Sequence, residues 1–195
     1  MEILLARTKK HLTENLEVKR TIINEGMYII VQAAALLADS FKSGNKMLLC
    51  GNGGSAADCQ HMATEFVSRL SADFERDGLP AIALTTDTSY LTAYANDYGF
   101  DGVFERQVLT LGSPGDVLLG ISTSGNSANI LKAIEAAKKK QMRTIALIGK
   151  SGVMANICDI VITVPSQNTQ HIQEAHLVIE HIICDLVEQI IFNKV

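Results

Sequence analysis

KMLLCGNGGSAADCQHMATE, residues Lys46 to Glu65, joins an apolar strand to a Gly-rich turn and then to a helix that carries His61 and Glu65. Gly51, Asn52, Gly53, Gly54 and Ser55 leave backbone N–H groups free at the start of that helix, where its dipole favours an anion. His61 and Glu65 are four residues apart, so both side chains project from one face, about 6 Å apart along the axis. A candidate anion site and a reactive pair therefore lie about two helical turns apart, an arrangement that suits a small phosphorylated substrate.

Outward from this stretch, short apolar runs alternate with longer helical patterns, which is how a parallel sheet covered on both faces reads. The strand candidates are Met47 to Cys50, Ala81 to Leu84, Val117 to Ile121, Thr144 to Ile148 and Ile160 to Val164. Helix patterns fall at about Ser55 to Leu70, Ser89 to Asn96 and Asn126 to Lys140, with a short turn near Met154. The expected fold is α/β: a doubly wound, five-stranded parallel sheet flanked by helices, with ligands bound beyond the carboxyl ends of the strands. Residues 1–43 lack Pro and read as two N-terminal helices with an apolar face along Ile23, Tyr28, Ile29, Val31, Ala34, Leu37 and Phe41. A last helix, about Gln170 to Phe192, is apolar over most of its circumference, so the terminal helices are expected to build an oligomer interface.

At 195 residues and 47% apolar composition, the chain is read as a single domain over residues 1–195. A net charge of −4, with no basic run longer than Lys138 to Lys140, gives no footprint for a nucleic-acid backbone. The charged start has no apolar stretch of signal-peptide length, and no segment reaches the roughly 18 apolar residues of a membrane span. A soluble, cytoplasmic protein is expected. Cys50, Cys59, Cys158 and Cys184 show no CxxC spacing and read as packed, reduced thiols.

The second informative segment is GISTSGNS, Gly120 to Ser127, between a strand and a helix. The hydroxyls of Ser122, Thr123, Ser124 and Ser127, together with the helix N-terminus, can hold a phosphate without Lys or Arg. Ordinary capping explains one such hydroxyl, but not four. Gly51, Gly53 and Ala56 also match the dinucleotide fingerprint G-x-G-x-x-A. That reading requires an acidic residue closing the second strand about 20 residues on, whereas Asp87 stands further along in a Thr-rich loop. It also leaves the hydroxyl-rich turn unexplained.

Taken together, GNGGSAADCQHMATE, the AND triplet Ala95 to Asp97, GISTSGNS and IQEAHLVIEH at Ile172 to His181 resemble the sugar isomerase (SIS) domain, and within it the bacterial phosphoheptose isomerases. The resemblance implies conversion of sedoheptulose 7-phosphate to D-glycero-D-manno-heptose 7-phosphate, the first step towards nucleotide-activated heptose for surface polysaccharide such as lipopolysaccharide. It also implies a homotetramer with one zinc ion per subunit. By position, it gives the phosphate to Ser122, Thr123, Ser124 and Ser127, and the sugar to Asn52, Gly53, Gly54, Ser55, Asn96 and Asp97, with Glu65 and Gln173. The implied metal ligands are His61, Glu65, Gln173 and His181, with Glu65 and His181 also the acid/base pair. Aldose–ketose exchange passes through an enediol and needs a base, an acid and a stabiliser of the oxyanion, roles that such residues can fill.

Each residue also has a plainer reading: His61 and Glu65 as a solvated pair, His181 as a core histidine, Gln173 as a helix cap, Asn96 and Asp97 as turn residues. Along an unbroken helix Gln173 and His181 would be about 12 Å apart, too far for one ion unless the helix starts irregularly or two chains share the site. A non-catalytic SIS protein that binds a phosphosugar, or a partner such as a replication initiator, is the alternative; such a relative is expected to lack the residues matching Glu65 and His181. Where many phosphoheptose isomerases place Arg before IQE, this chain has His171.

Overall fold

The structure, a computed structural model, describes residues 1–193. Strands β1 (Met47–Gly51), β2 (Ala81–Ala83), β3 (Val117–Ser122), β4 (Arg143–Ile148) and β5 (Ile160–Thr163) form one all-parallel sheet in the order β2-β1-β3-β4-β5. The α-helices are α1 (Glu2–Glu25), α2 (Met27–Lys42), α3 (Gly54–Val67), α4 (Thr88–Tyr98), α5 (Val103–Leu111), α6 (Ala128–Lys139) and α7 (Thr169–Phe192). The expected sheet is thus present strand for strand.

β1 and β3 are buried along their whole length, which is why their sequences are unbroken apolar runs instead of alternating ones. Successive side chains enter opposite cores. Met47, Leu49, Val117, Leu119 and Ile121 pack with Leu37 of α2, Met62 and Phe66 of α3 and Ile179 and Ile183 of α7. Leu48, Cys50, Leu118 and Ala146 pack on the other face with Phe104 and Val108 of α5 and Ile130 and Ile134 of α6. The chain leaves β1 towards β2 on one side and leaves β3 towards β4 on the other, so the winding reverses between β1 and β3. Gly51 and Ile121 are register partners there, and the two turns singled out in the sequence leave the sheet side by side.

Two local features add to the sequence reading. α5 has no counterpart in the sequence reading, because its nine residues, between Gly102 and Gly112, span too few turns to show a helical period. The apolar face assigned to the N-terminal helices is only partly the packed one. Ala34, Leu37 and Phe41 are buried, together with Ile30, Ala33 and Ala38, while Ile23, Tyr28 and Val31 are exposed. The bend of 72° at Gly26 re-aims the stripe, so α1 buries only Asn15 and Val18. No single described helix is long and apolar enough to cross a membrane.

α7 runs unbroken from Thr169 to Phe192, and its N-cap is Asn168, whose side chain accepts from the Gln170 N–H. Gln173 therefore lies inside the helix and does not cap it. His176 and Glu180, one turn apart on α7, are almost fully buried with Asp58 of α3 nearby. Burial pulls the His176 imidazole down to about 4, and burial, with the Asp58 charge, pushes the Glu180 carboxyl up to about 8. The unfolded chain protonates His176 near its ordinary value and the native chain resists until much lower. The stability gained by keeping it neutral is thus present above about pH 6.5 and is lost as pH falls towards 4. In metal-free protein, His176→Leu is expected to remove about 2 kcal/mol of the fall in unfolding free energy between pH 7 and pH 4.5, measured by urea denaturation; parallel wild-type and variant curves would refute this.

Candidate functional site

The two turns at the β1–β3 junction are built differently. After β1, Gly53 caps α3 with φ +56° and ψ −121°, a backbone region open to Gly and strained for other residues. No side chain caps this helix, so its first N–H groups face the site. Ser55 is buried and Asn52 half-buried. After β3, Ser122 sits at the centre of a hydroxyl cluster, with its Oγ 3.0 Å from Ser127 Oγ and 3.3 Å from Ser124 Oγ. Ser127 occupies the N-cap of α6 yet makes no capping bond, so its hydroxyl faces the turn instead of the helix. Capping consequently does not account for this turn.

Gly125 holds the cluster in shape. With φ +64°, it lies so close to Ser151 and Gly152 that a Cβ would meet the Ser151 carbonyl at 2.8 Å. A cavity of about 310 Å³ opens against Thr123 and Ser124, and Lys150, beyond β4, shares its lining. Lys150 is a cation that the sequence reading passed over; its only signal was its position just after a strand's carboxyl end. Asn129 was missed as well. Its amide is buried in the first turn of α6 and exchanges two hydrogen bonds with Asn52, at 2.9 and 3.0 Å, tying the two turns together.

Further along α3, His61 and Glu65 meet His181 of α7. His61 Nε2 is 2.8 Å from His181 Nε2 and 3.6 Å from Glu65 Oε1, and one ligand atom from each of the three lies within 4.8 Å of the others. Two imidazoles and a carboxylate suit a borderline metal ion such as zinc, with a position left open for a substrate oxygen. The Glu65 side chain is only 15% exposed, which argues against a plain solvated pair.

Gln173 does not join that cluster, although the resemblance puts it among the metal ligands. Its amide packs on Gly54, where a Cβ would lie 1.9 Å from Nε2, and lies beside the Asp58 carboxyl. Because α7 is unbroken, Gln173 stands two turns before His181, about 12 Å along the axis. Asn96 and Asp97 are at the exposed end of α4, within a helix and not a turn, and Asn96 Nδ2 donates to Asp97 Oδ1. Among the described residues, none of their hydrogen bonds reaches either Gly-rich turn. Asp87, the acidic residue weighed for a dinucleotide ribose, caps α4 through the Tyr90 N–H. His171 is buried on His11 of α1, which in turn contacts Glu174.

This sheet, with two open helix N-termini at one junction and a His/Glu/His cluster beyond it, is the arrangement of a sugar-phosphate isomerase domain. The chain belongs to the SIS domain family, whose sequence profile matches residues 11–149. It is 52% identical over 189 residues to a phosphoheptose isomerase of Aneurinibacillus thermoaerophilus, covering 95% of this chain and 94% of that one. Among solved structures, a phosphoheptose isomerase from Neisseria gonorrhoeae superposes with a TM-score of 0.89 at 44% identity, covering 95% and 99% of the two chains. Another, from Francisella tularensis, gives 0.91 at 39% identity over 95% and 98%.

Asn129→Ala leaves Asn52 without its amide partner and is expected to lower unfolding free energy by about 1–3 kcal/mol in chemical denaturation. An unchanged midpoint would mean that the two turns are held together by other contacts.

Proposed function

We propose that this chain is a phosphoheptose isomerase, an aldose–ketose isomerase that converts sedoheptulose 7-phosphate to D-glycero-D-manno-heptose 7-phosphate, the first step towards nucleotide-activated heptose. The observation that carries the reading is the meeting of His61 and Glu65, on the helix that starts at the β1–β3 junction, with His181 of α7. A non-catalytic phosphosugar-binding member of the family would have no use for Glu65 and His181 together. The relatives named phosphoheptose isomerase, matched over nearly their full length, support the same conclusion.

Ser122, Thr123, Ser124 and Ser127 take the 7-phosphate with the open N-terminus of α6, and Lys150 adds a cation at the rim. Asn52, Gly53, Gly54, Ser55 and Gln173 line the sugar. Asn96 and Asp97 are assigned to it by the resemblance alone, since their hydrogen bonds run to each other. Isomerisation removes a proton from C1 and returns one to C2, while O2 gains a proton as the enediol forms and O1 loses one as it collapses. Glu65 and His181 are the groups we assign to these transfers. The partly desolvated Glu65 carboxylate has two oxygens, so contact with His61 leaves one for the proton. His61, Glu65 and His181 would hold one zinc ion per subunit, which when bound polarises the carbonyl and offsets the enediolate charge. We place Gln173 with the sugar instead of with the ion of its own chain, because of its two-turn separation from His181.

The cluster of exposed apolar side chains on α1 and α2, among them Ile3, Leu4, Leu12, Tyr28 and Val31, supports a homotetramer. Four free thiols, three of them buried, suit a cytoplasmic protein.

Purified protein is expected to form the aldose from sedoheptulose 7-phosphate, followed by proton NMR, and to lose turnover on chelation and regain it with zinc. Binding of the phosphosugar with no turnover in zinc would move the chain to the sensor class. Glu65→Gln and His181→Asn are each expected to lower kcat by about 10²- to 10⁴-fold with folding intact, and near-normal turnover in either would remove that residue from the chemistry. Sedimentation should give a mass near four times the 21.1 kDa chain; a monomer would refute the assembly.

A further inference from the structure

Between α3 and β2, Arg76 leaves an irregular segment and turns inward. Its side chain and that of Glu188 on α7 are both 1% exposed, with Arg76 Nε donating to Glu188 Oε1 at 2.8 Å. The guanidinium then spans the last turn of α3. Nη2 donates to the Glu65 carbonyl at 2.6 Å, and Nη1 to the carbonyls of Phe66 at 2.7 Å, Ser68 at 3.2 Å and Asp77 at 3.0 Å. Glu188 Oε1 also accepts from the Leu70 N–H. The closing carbonyls of α3 are groups that no helical N–H can satisfy, and a cation there complements the dipole.

A buried ion pair alone is a weak reason for stability, since apolar residues of similar size often serve as well. Its placement is more telling. One end grips the backbone of Glu65 itself, and the other is on α7, seven residues beyond His181 and so on nearly the same face two turns away. α3 and α7 carry all three members of the His/Glu/His cluster. A sliding or rotation of either helix would part them, and within-helix bonds do nothing to prevent that.

We propose that Arg76 and Glu188 are positioning residues: a buried clamp that sets the register of α3 against α7 and thereby holds Glu65 against His181 in the geometry that takes up the metal ion. The inference rests on the metal-site reading given above. Five donors in a rigid fork suit this task, since a single guanidinium reaches four carbonyls and a carboxylate at once, which an ammonium does not.

The test is zinc affinity of metal-free protein, measured by competition with a chromogenic chelator, on Arg76→Met/Glu188→Leu, which removes both charges together. The control is Ile134→Ala, a core truncation on the opposite face of the sheet. The folded double variant is expected to bind zinc at least 10-fold more weakly than wild type and to lose kcat with KM for sedoheptulose 7-phosphate within twofold. The control, at matched loss of thermal stability, should keep wild-type zinc affinity. If the double variant does not fold, Glu188→Gln, which keeps an acceptor and the shape, is expected to weaken zinc binding about threefold. Zinc affinity within twofold of wild type in the folded clamp variant, or an equal loss in the control, overturns the clamp. Glu65→Gln separates the two readings: if it binds zinc as tightly as wild type, the metal site itself is misassigned and the clamp falls with it; if it loses zinc while the clamp variant does not, only the clamp fails.

Discussion

Parallel pairing of β1 with β3 is the constraint on which the rest depends. It is the point where the winding of the sheet reverses, and it brings Gly51 level with Ile121. Two segments separated by some seventy residues of chain are thereby released at the same edge, one rich in glycine and one rich in hydroxyls. The Asn52–Asn129 exchange fixes their separation, and the open N-termini of α3 and α6 converge on the space between them. Because both strands are buried along their whole length, this edge is as rigid as the core itself.

The sheet was legible because parallel strands buried on both faces leave an unmistakable record of short apolar runs, and all five fell within a residue or so of their expected bounds. α5 was not, since a nine-residue helix has too few turns for its period to rise above its neighbours. The meeting of His61 and Glu65 with one another could be read from their spacing. Their meeting with His181 could not, since it depends on α7 crossing α3, and it entered only through resemblance. The N-terminal helices were only half legible for a similar reason. An apolar residue on a helix marks a face to be covered without saying what covers it: the one stripe holds both Leu37 and Phe41, which pack into the core, and Tyr28 and Val31, which face outward.

α7 carries an unusual load for one helix. It fills the core with Ile179, Ile183 and Val187, places His181 at the cluster, and buries His176 and Glu180 where burial keeps both in their uncharged forms near neutrality. Neutral polar groups in that position cost less than charged ones, but they leave the interface between α3 and α7 less well satisfied than a purely apolar seam. The apolar packing of Met62 and Phe66 against Ile179 and Ile183 is thus interrupted by a polar patch, which leaves part of the alignment of the pair to contacts at its ends. That is consistent with the dense hydrogen bonding around Arg76 at one end and the packing of Gln173 on Gly54 at the other.

α3 begins at the β1–β3 junction and ends beneath Arg76, with His61 about two turns from its start and Glu65 on its last turn. A straight helix rises about 1.5 Å per residue, so the interval from Gly54 to Glu65 is a fixed length of about 16 Å that no side-chain motion alters. On the proposed reading the phosphate is held across the junction by the β3–α6 turn, so α3 fixes the distance between the Gly-rich turn on the sugar side and the side chains at its own far end. The helix is in that sense a spacer: the interval between the turn and the carboxylate is set by backbone geometry and not by side-chain conformation.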